Sequence, residues 1–234
     1  MANDADAEKR LAGIAAADEV RSGMTLGLGS GTTVYFFLEE LGKRIHNGLR
    51  IVGIPTSDRT AALAGQFGIP LITFEERQQL DLDVDGADEV DSQLNLIKGH
   101  GGALLREKII ALASRRRIII VDQSKLTDAL GKLAMLPVEV VPFAWRLAER
   151  GLRGLGADPQ LRVVAAGQPF VTDNANWIVD CRFPPIANPL QLEADINRLP
   201  GVLESGLFVG LADEVLVAAG SNVRRLVGSR QAGA

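Results

Sequence analysis

The stretch LDLDVDGADEVDSQL, Leu80 to Leu94, carries six carboxylates in fifteen residues. Its first half, Asp81-Leu82-Asp83-Val84-Asp85-Gly86, has the spacing that opens an EF-hand calcium loop. Such a loop closes on a bidentate Glu at its twelfth position, which here is Ser92, and it needs a helix directly on each side. Instead Leu80, Leu82 and Val84 alternate with Asp81, Asp83 and Asp85, the two-residue period of a strand. The segment reads as a strand ending at Asp85, a glycine turn at Gly86, and a further carboxylate at Asp88. Asp81, Asp83, Glu89 and Asp91 read as solvation or structural pairing.

Around this strand the chain alternates short apolar runs with longer amphipathic ones. MTLGLG (24–29), RIVGIP (50–55), PLITF (70–74) and RIIIVD (117–122) read as further strands. VYFFLEELGKRI (34–45), SDRTAALAGQFG (57–68) and GALLREKIIALASR (102–115) read as helices. Strand–helix alternation with short connections implies an α/β fold: a doubly wound, mostly parallel, Rossmann-like sheet with helices on both faces. Ligands of such sheets gather where the carboxyl ends of strands turn into helices. After about Gly131 the texture changes. LPVEVVPF (136–143), QLRVVAAG (160–167), PFVTD (169–173) and NWIVDCRF (176–183) are close-set strand candidates, with helical FAWRLAERGL (143–152) and LQLEADINRL (190–199) among them. We expect a Rossmann-like catalytic domain from residues 1–130 plus 206–234, and a small α+β domain inserted near the C-terminus, 131–205. GLFVG (206–210) and EVLVAAG (214–220) are expected to rejoin the first sheet.

Composition narrows the function. Of 234 residues, 47% are hydrophobic and 23% charged, as in soluble globular proteins. The net charge of −4, without a basic block interleaved with aromatics, argues against a nucleic-acid surface. No apolar run approaches the roughly 18 residues of a membrane helix. The polar start MANDADAEKR is unlike a secretory signal. The single cysteine, Cys181, cannot form an intrachain disulfide, which suits a reducing cytoplasm. One Cys and two separated His are too few ligands for a structural zinc site.

Several motifs have two readings each. The turn GLGSGTT (27–33) offers helix-start amides and the hydroxyls of Ser30, Thr32 and Thr33 to a phosphate. It also reads as a tight glycine turn with a hydroxyl N-cap. It is neither G-x-G-x-x-G nor a P-loop, so a dinucleotide or ATP site has little support. In IPTSDRT (54–60), Ser57 or Asp58 reads as a helix cap or a ligand contact. In IKGHGGALLREK (97–108), Glu107 has Ala103, Leu104, Ile110 and Ala111 three and four residues away. A carboxylate in apolar surroundings can serve as a general base near neutrality. Arg106 and Lys108 have mostly apolar neighbours as well, so the pattern does not say which charge is buried. In VDQSK (121–125), Lys125 lies beyond a strand's carboxyl end, as an anion partner or a solvated lysine. His100, among glycines, would reach a ligand or be incidental.

Taken together, VDGADEV (84–90), IKGHGGALLREKII (97–110), VDQSK with GKLAMLPVEVVP (131–142), FVTDNANWIVD (170–180), GLGSGTT and GVLESGLF (201–208) resemble the ribose-5-phosphate isomerase type A family, in family order over nearly the whole chain. The resemblance implies a metal-free and cofactor-free aldose–ketose isomerisation of D-ribose 5-phosphate and D-ribulose 5-phosphate, a step of the pentose phosphate pathway. It implies Glu107 as the base that moves a proton between C2 and C1 through an enediol(ate). Asp85 and Asp88 fall on the acidic pair at the sugar oxygens, with Gly86 and Ala87 between them. Lys98 falls on the lysine that stabilises the enediolate oxygen, followed by the backbone turn Gly99, His100 and Gly101. Ser30, Gly31, Thr32 and Thr33 fall on a second substrate loop, Lys125 on a substrate-binding lysine, and Lys9 on a basic residue near the ligand. His100 interrupts the family's glycine run, and Ser30 stands where threonine is common.

The implied protein is cytoplasmic, a homodimer or homotetramer, and binds neither nucleic acid nor membrane. Two alternatives stand beside it. Another sugar-phosphate isomerase, or a deaminase, on a related fold is one. The other is a non-catalytic sugar-phosphate sensor, although the segment before MTLGLG is only about one helix long.

Overall fold

The computed structural model describes residues 2–228 other than Ala166. In chain order it contains α1 (Ala2–Ala17), β1 (Thr25–Leu28), α2 (Thr32–His46), β2 (Val52–Pro55), α3 (Asp58–Gln66) and β3 (Leu82–Asp85). There follow β4 (Glu89–Val90), β5 (Leu96–Ile97), α4 (Leu104–Ala113), β6 (Arg117–Asp122), β7 (Leu136–Val140), α5 (Trp145–Gly154) and β8 (Asp158–Leu161). The chain ends with β9 (Trp177–Arg182), α6 (Pro189–Asn197), β10 (Val202–Ser205), β11 (Leu207–Phe208), β12 (Glu214–Ala219) and β13 (Asn222–Val227). Two compact units result. The first takes residues up to Ala87, Arg106–Ser124 and those from Leu211; the second takes Asp88–Leu105 and Lys125–Gly210.

The first unit is built on a six-stranded sheet in the order β13-β12-β6-β3-β1-β2. All neighbours are parallel except the β12–β13 hairpin. The chain leaves β1 for β2 on one side and places β3 on the other, so the gap between β1 and β3 is a switch point, where open α/β sheets bind ligands. Strand periodicity divides the two faces. Leu26 and Leu28, Leu82 and Val84, Ile118 and Ile120 pack with Ala12, Ala16, Phe37 and Leu41 of α1 and α2. Gly27 and Asp83 point the other way. A Cβ on Gly27 would lie 2.4 Å from Ile110 Cγ2 of α4 and 2.6 Å from Asp83 Oδ1. Ile110 also packs with Ile54, Leu80, Ile72 and Phe74 on that side. Helices therefore cover both faces, as a doubly wound sheet requires.

An ion cluster ties the chain just after α1 to the residue before β6 and to strands β12 and β13. Arg116 pairs with Glu19 (3.0 Å) and Glu214 (2.6 Å), and Arg225 pairs with both acids. The hydrogen bond from Arg225, joined by Arg116, holds the Glu19 carboxyl below its usual range against the opposing effect of burial.

The second unit contains the antiparallel sheet β10-β7-β9-β8 and the small antiparallel sheet β11-β5-β4. Val138, Val140, Val179 and Cys181 form a core with Ala148 and Leu152 of α5 and Ile196 of α6. Burial pushes the Cys181 thiol well above its ordinary range. Among the described residues, no helix is long and apolar enough to cross a membrane.

Three sequence expectations are corrected. GLFVG does not rejoin the first sheet: β11 pairs antiparallel with β5 in the second unit, and only EVLVAAG returns, as β12 beside β6. PLITF makes one isolated bridge, Leu71 to Gly53, because Pro70 has no N–H to donate and the chain turns at Thr73. PFVTD likewise makes only isolated bridges, and its backbone turns at Thr172–Asn176 around Ala175, whose φ is 60°. Strands β4, β5 and β11 are each two residues long, too short for periodicity to reveal. β13 had a readable signal, the Gly220-Ser221 turn after β12.

The close approach at Gly27 is testable. Gly27→Ala is expected to lower unfolding stability by about 1–3 kcal/mol, since Ile110 and Asp83 must both move. Urea denaturation of the two proteins measures it, and an unchanged midpoint would contradict the packing.

Candidate active site

At the carboxyl end of β3, Asp85 is 1% exposed. Its Oδ1 accepts the backbone N–H groups of Ser30 (2.9 Å) and Gly86 (2.7 Å). Gly29 donates to Val84 O at 3.0 Å, and a Cβ there would meet Asp85 Oδ1 at 2.3 Å. The turn after β1 can thus hold only glycine at 29 while it delivers Ser30 to the carboxylate. Gly31, at φ 111°, then caps α2 without a side-chain hydrogen bond, and no acid sits in its first turn. Thr32 is exposed and Thr33 half-buried at this end. The N-terminal amides of this helix and its dipole suit an anion.

Ser30 is held by a knot of hydroxyls. Its Oγ lies 2.7 Å from Thr56 Oγ1, 2.8 Å from Ser57 Oγ and 3.0 Å from Thr60 Oγ1. Thr60 Oγ1 donates to Gly29 O at 2.9 Å and Thr56 Oγ1 to Leu28 O at 3.1 Å. Ser57 is the N-cap of α3, accepting from Thr60 N at 3.0 Å, and Asp58 pairs with Arg106 at 2.8 Å. Thr56 and Thr60 were missed as supports, although their spacing in TSDRT would have pointed to them.

Glu107 is 5% exposed, Lys108 equally buried, and Arg106 reaches the surface. Burial thereby sets Arg106 apart from the other two charges of α4. Glu107 stands one turn N-terminal to Ile110, on the helix face that packs against Gly27. That turn climbs roughly 4.5 Å at 1.5 Å per residue. Because α4 leads into β6 and β6 runs parallel to β3, its N-terminal end lies toward the strands' carboxyl ends. Asp85 lies about 6.6 Å along β3 beyond Asp83, on the same sheet face. Glu107 and Asp85 therefore share one face and one end of the first unit's sheet.

The second unit carries the other candidates. Asp88 Oδ2 accepts the His100 N–H at 3.1 Å, and His100 Nδ1 lies 3.6 Å from Asp88 Oδ1. His100 Nε2 is 3.3 Å from Met135 O. The histidine is thus bonded to the acidic residue and the framework around it. Lys98 is 3% exposed, with its ammonium 5.4 Å from the Phe208 ring centroid and its N–H donating to Gly206 O at 2.9 Å. Gly99 (φ 101°) and Gly102 (φ 80°) fold the following turn, closed by Gly102 N to Gly99 O at 2.9 Å. Gly101 is exposed on it. Gly86 and Ala87 are half-buried beyond Asp85, and Lys125 closes a single 3-10 turn after β6. Lys9 lies 3.7 Å from Asp6 on α1. Among the described residues no hydrogen bond or ion pair joins Lys9 or Lys125 to the other candidates.

The rest of the acidic stretch is structural. Asp81 accepts from Thr25 N, and Asp91 from Gln93 N and Asn95 N. Glu89, fully buried, accepts the N–H groups of Gly131 (2.6 Å), Leu133 and Ala134 (2.5 Å).

Residues 52–222 match the family model of ribose 5-phosphate isomerase A (phosphoriboisomerase A). The chain belongs to this family. Ribose-5-phosphate isomerase A of Gloeobacter violaceus is 54% identical over 216 residues, 92% of this chain and 94% of that protein. The Thermomicrobium roseum protein of the same name is 50% identical over 92% of this chain and 91% of its own length. The fold superimposes on ribose 5-phosphate isomerase A from Methanocaldococcus jannaschii with a TM-score of 0.90 at 40% identity, covering 94% of this chain and 98% of that one. A D-ribose-5-phosphate isomerase solved in complex with phospho-erythronic acid superimposes with a TM-score of 0.93 at 39% identity, covering 95% and 99%.

The hydroxyl knot predicts that Thr60→Val, which strands Gly29 O, costs about 1–3 kcal/mol. Faster amide hydrogen exchange at Ser30 and Gly31 should accompany the loss. Wild-type exchange at both amides would contradict the bracing role.

Proposed function

We propose that this chain interconverts D-ribose 5-phosphate and D-ribulose 5-phosphate by proton transfer between C2 and C1, without metal or cofactor. The observation that carries the reading is Glu107 beside the Asp85 end of the sheet, in a chain of this family. Removing a proton next to a carbonyl requires a base above the carbon and a cation or donor at the growing oxyanion. Glu107 is the base. Lys98 and the backbone turn Gly99–Gly101 stabilise the enediolate oxygen, and Asp85 and Asp88 handle sugar hydroxyls and ring opening. The α2 start with Ser30, Gly31, Thr32 and Thr33 suits the substrate's phosphate, with Lys125 and Lys9 as cationic contacts. Binding the phosphate away from the reacting carbons holds the sugar for the chemistry.

The relative bound to phospho-erythronic acid supports the substrate class. That ligand joins a phosphate to a planar carboxylate, a chemical likeness of the enediolate's paired oxygens. The two-domain division belongs to the same proposal, with the bounds of the two compact units in place of those expected from sequence: residues up to Ala87, Arg106–Ser124 and those from Leu211 in one, Asp88–Leu105 and Lys125–Gly210 in the other. So do a cytoplasmic site and a homodimer or homotetramer; a buried, unreactive Cys181 is consistent with the former.

A second reading, an aminosugar-phosphate deaminase, draws on His100 alone. Its bonds to Asp88 and Met135 O favour a supporting place. The test is ribose 5-phosphate turnover in EDTA for wild type, Glu107→Gln and His100→Gly. We expect chelator-resistant turnover, a loss of at least about 100-fold in Glu107→Gln with substrate still bound, and near-wild-type rates in His100→Gly. Loss of activity in EDTA, an active Glu107→Gln or a dead His100→Gly would each overturn part of the proposal.

A further inference from the structure

Just beyond β8, Arg162 has its backbone fixed on both sides: its N–H donates to Ile178 O at 2.8 Å and its carbonyl accepts from Phe170 N at 2.9 Å. The side chain is largely buried and forked onto Asp180, Nε to Oδ2 at 2.8 Å and Nη2 to Oδ1 at 2.5 Å. The remaining arm bridges two carbonyls of the glycine turn, Nη1 to Gly99 O at 3.2 Å and to His100 O at 2.9 Å. Phe170, over which the guanidinium lies at 5.6 Å, fills the place of a Gly102 Cβ, which would sit 2.4 Å from its Cε1. The turn after Lys98 is therefore gripped by its carbonyls and wedged at its end.

Peptide planarity carries this grip to the functional atoms. In a trans peptide the C=O and N–H point in opposite directions. With Gly99 O drawn to Arg162, the His100 N–H must face away, and it does so onto Asp88 Oδ2 at 3.1 Å. By the same geometry, drawing His100 O to Arg162 turns the Gly101 N–H away from the guanidinium. A charged donor on the carbonyl also polarises the peptide and strengthens what its N–H gives.

We infer that Arg162, held by Asp180, is the positioning residue for the Lys98–Gly102 turn, setting the His100 amide on Asp88 and the Gly101 amide toward substrate. The inference rests on the proposed isomerase reading of that turn. Neither residue touches the reacting atoms; both act through the turn. Lysine cannot replace arginine here, because one ammonium cannot fork onto Asp180 and bridge two carbonyls together.

Arg162→Met alone strands a buried carboxylate and risks misfolding. The informative protein is Arg162→Met/Asp180→Asn, compared with Arg162→Lys and wild type for kcat, KM and melting temperature with ribose 5-phosphate. We expect kcat to fall about 10- to 100-fold in the double variant, with KM within about threefold and a folded protein at the assay temperature. Arg162→Lys should recover only part of the loss. Wild-type kcat in the double variant, or a loss that tracks the unfolded fraction, overturns the inference while leaving the isomerase reading intact. An inactive wild type removes that reading and the inference with it.

Discussion

The structure turns on how little room β1 leaves beside it. Gly27 and Gly29 offer no side chain on the face where α4 and Asp85 stand, and a Cβ at either would overlap Ile110, Asp83 or Asp85. That absence lets a helix pack directly on the switch point and lets the turn after β1 donate Ser30's amide to Asp85. Any larger residue would push α4 outward and lift Glu107 from the level of the strand ends. The site of the first unit is in this sense a consequence of two missing methyl groups.

The acidic stretch shows how one charge-rich segment divides its work. A buried carboxylate is tolerated when N–H donors compensate the lost water. Glu89 receives three backbone amides of 131–134 and so ties a loop to its small sheet. Asp91 organises its own turn, and Asp81 holds the start of β1. Asp85 accepts the amides of Ser30 and Gly86, and Asp88 accepts that of His100. The two candidate catalytic acids are thus the ones bonded to candidate substrate loops.

Much of this was legible from residues. Alternation in LDLDVD, with Ser92 where a calcium loop needs Glu, argued against such a loop and marked Asp85 as a strand end, and the apolar spacing around Glu107 raised the possibility of burial. The pattern alone left Arg106, Glu107 and Lys108 equivalent, because only packing against Gly27 decides which helix face turns inward. Arg162 was invisible for a similar reason: its partners Gly99, His100 and Asp180 lie 18 to 63 residues away in sequence. GLFVG was misplaced because an apolar five-residue run states that it is buried, not which sheet it joins. PLITF and PFVTD have strand composition but lack continuous ladder partners.

The central claim is proton transfer through an enediol(ate) with Glu107 as the base. It is tested most directly by following ribose 5-phosphate in D2O by NMR with wild type and Glu107→Gln. The account predicts deuterium accumulating at C1 of ribulose 5-phosphate and C2 of ribose 5-phosphate over repeated turnovers of the wild type, and none with the variant. Isomerisation or exchange that persists at the wild-type rate in Glu107→Gln would contradict it.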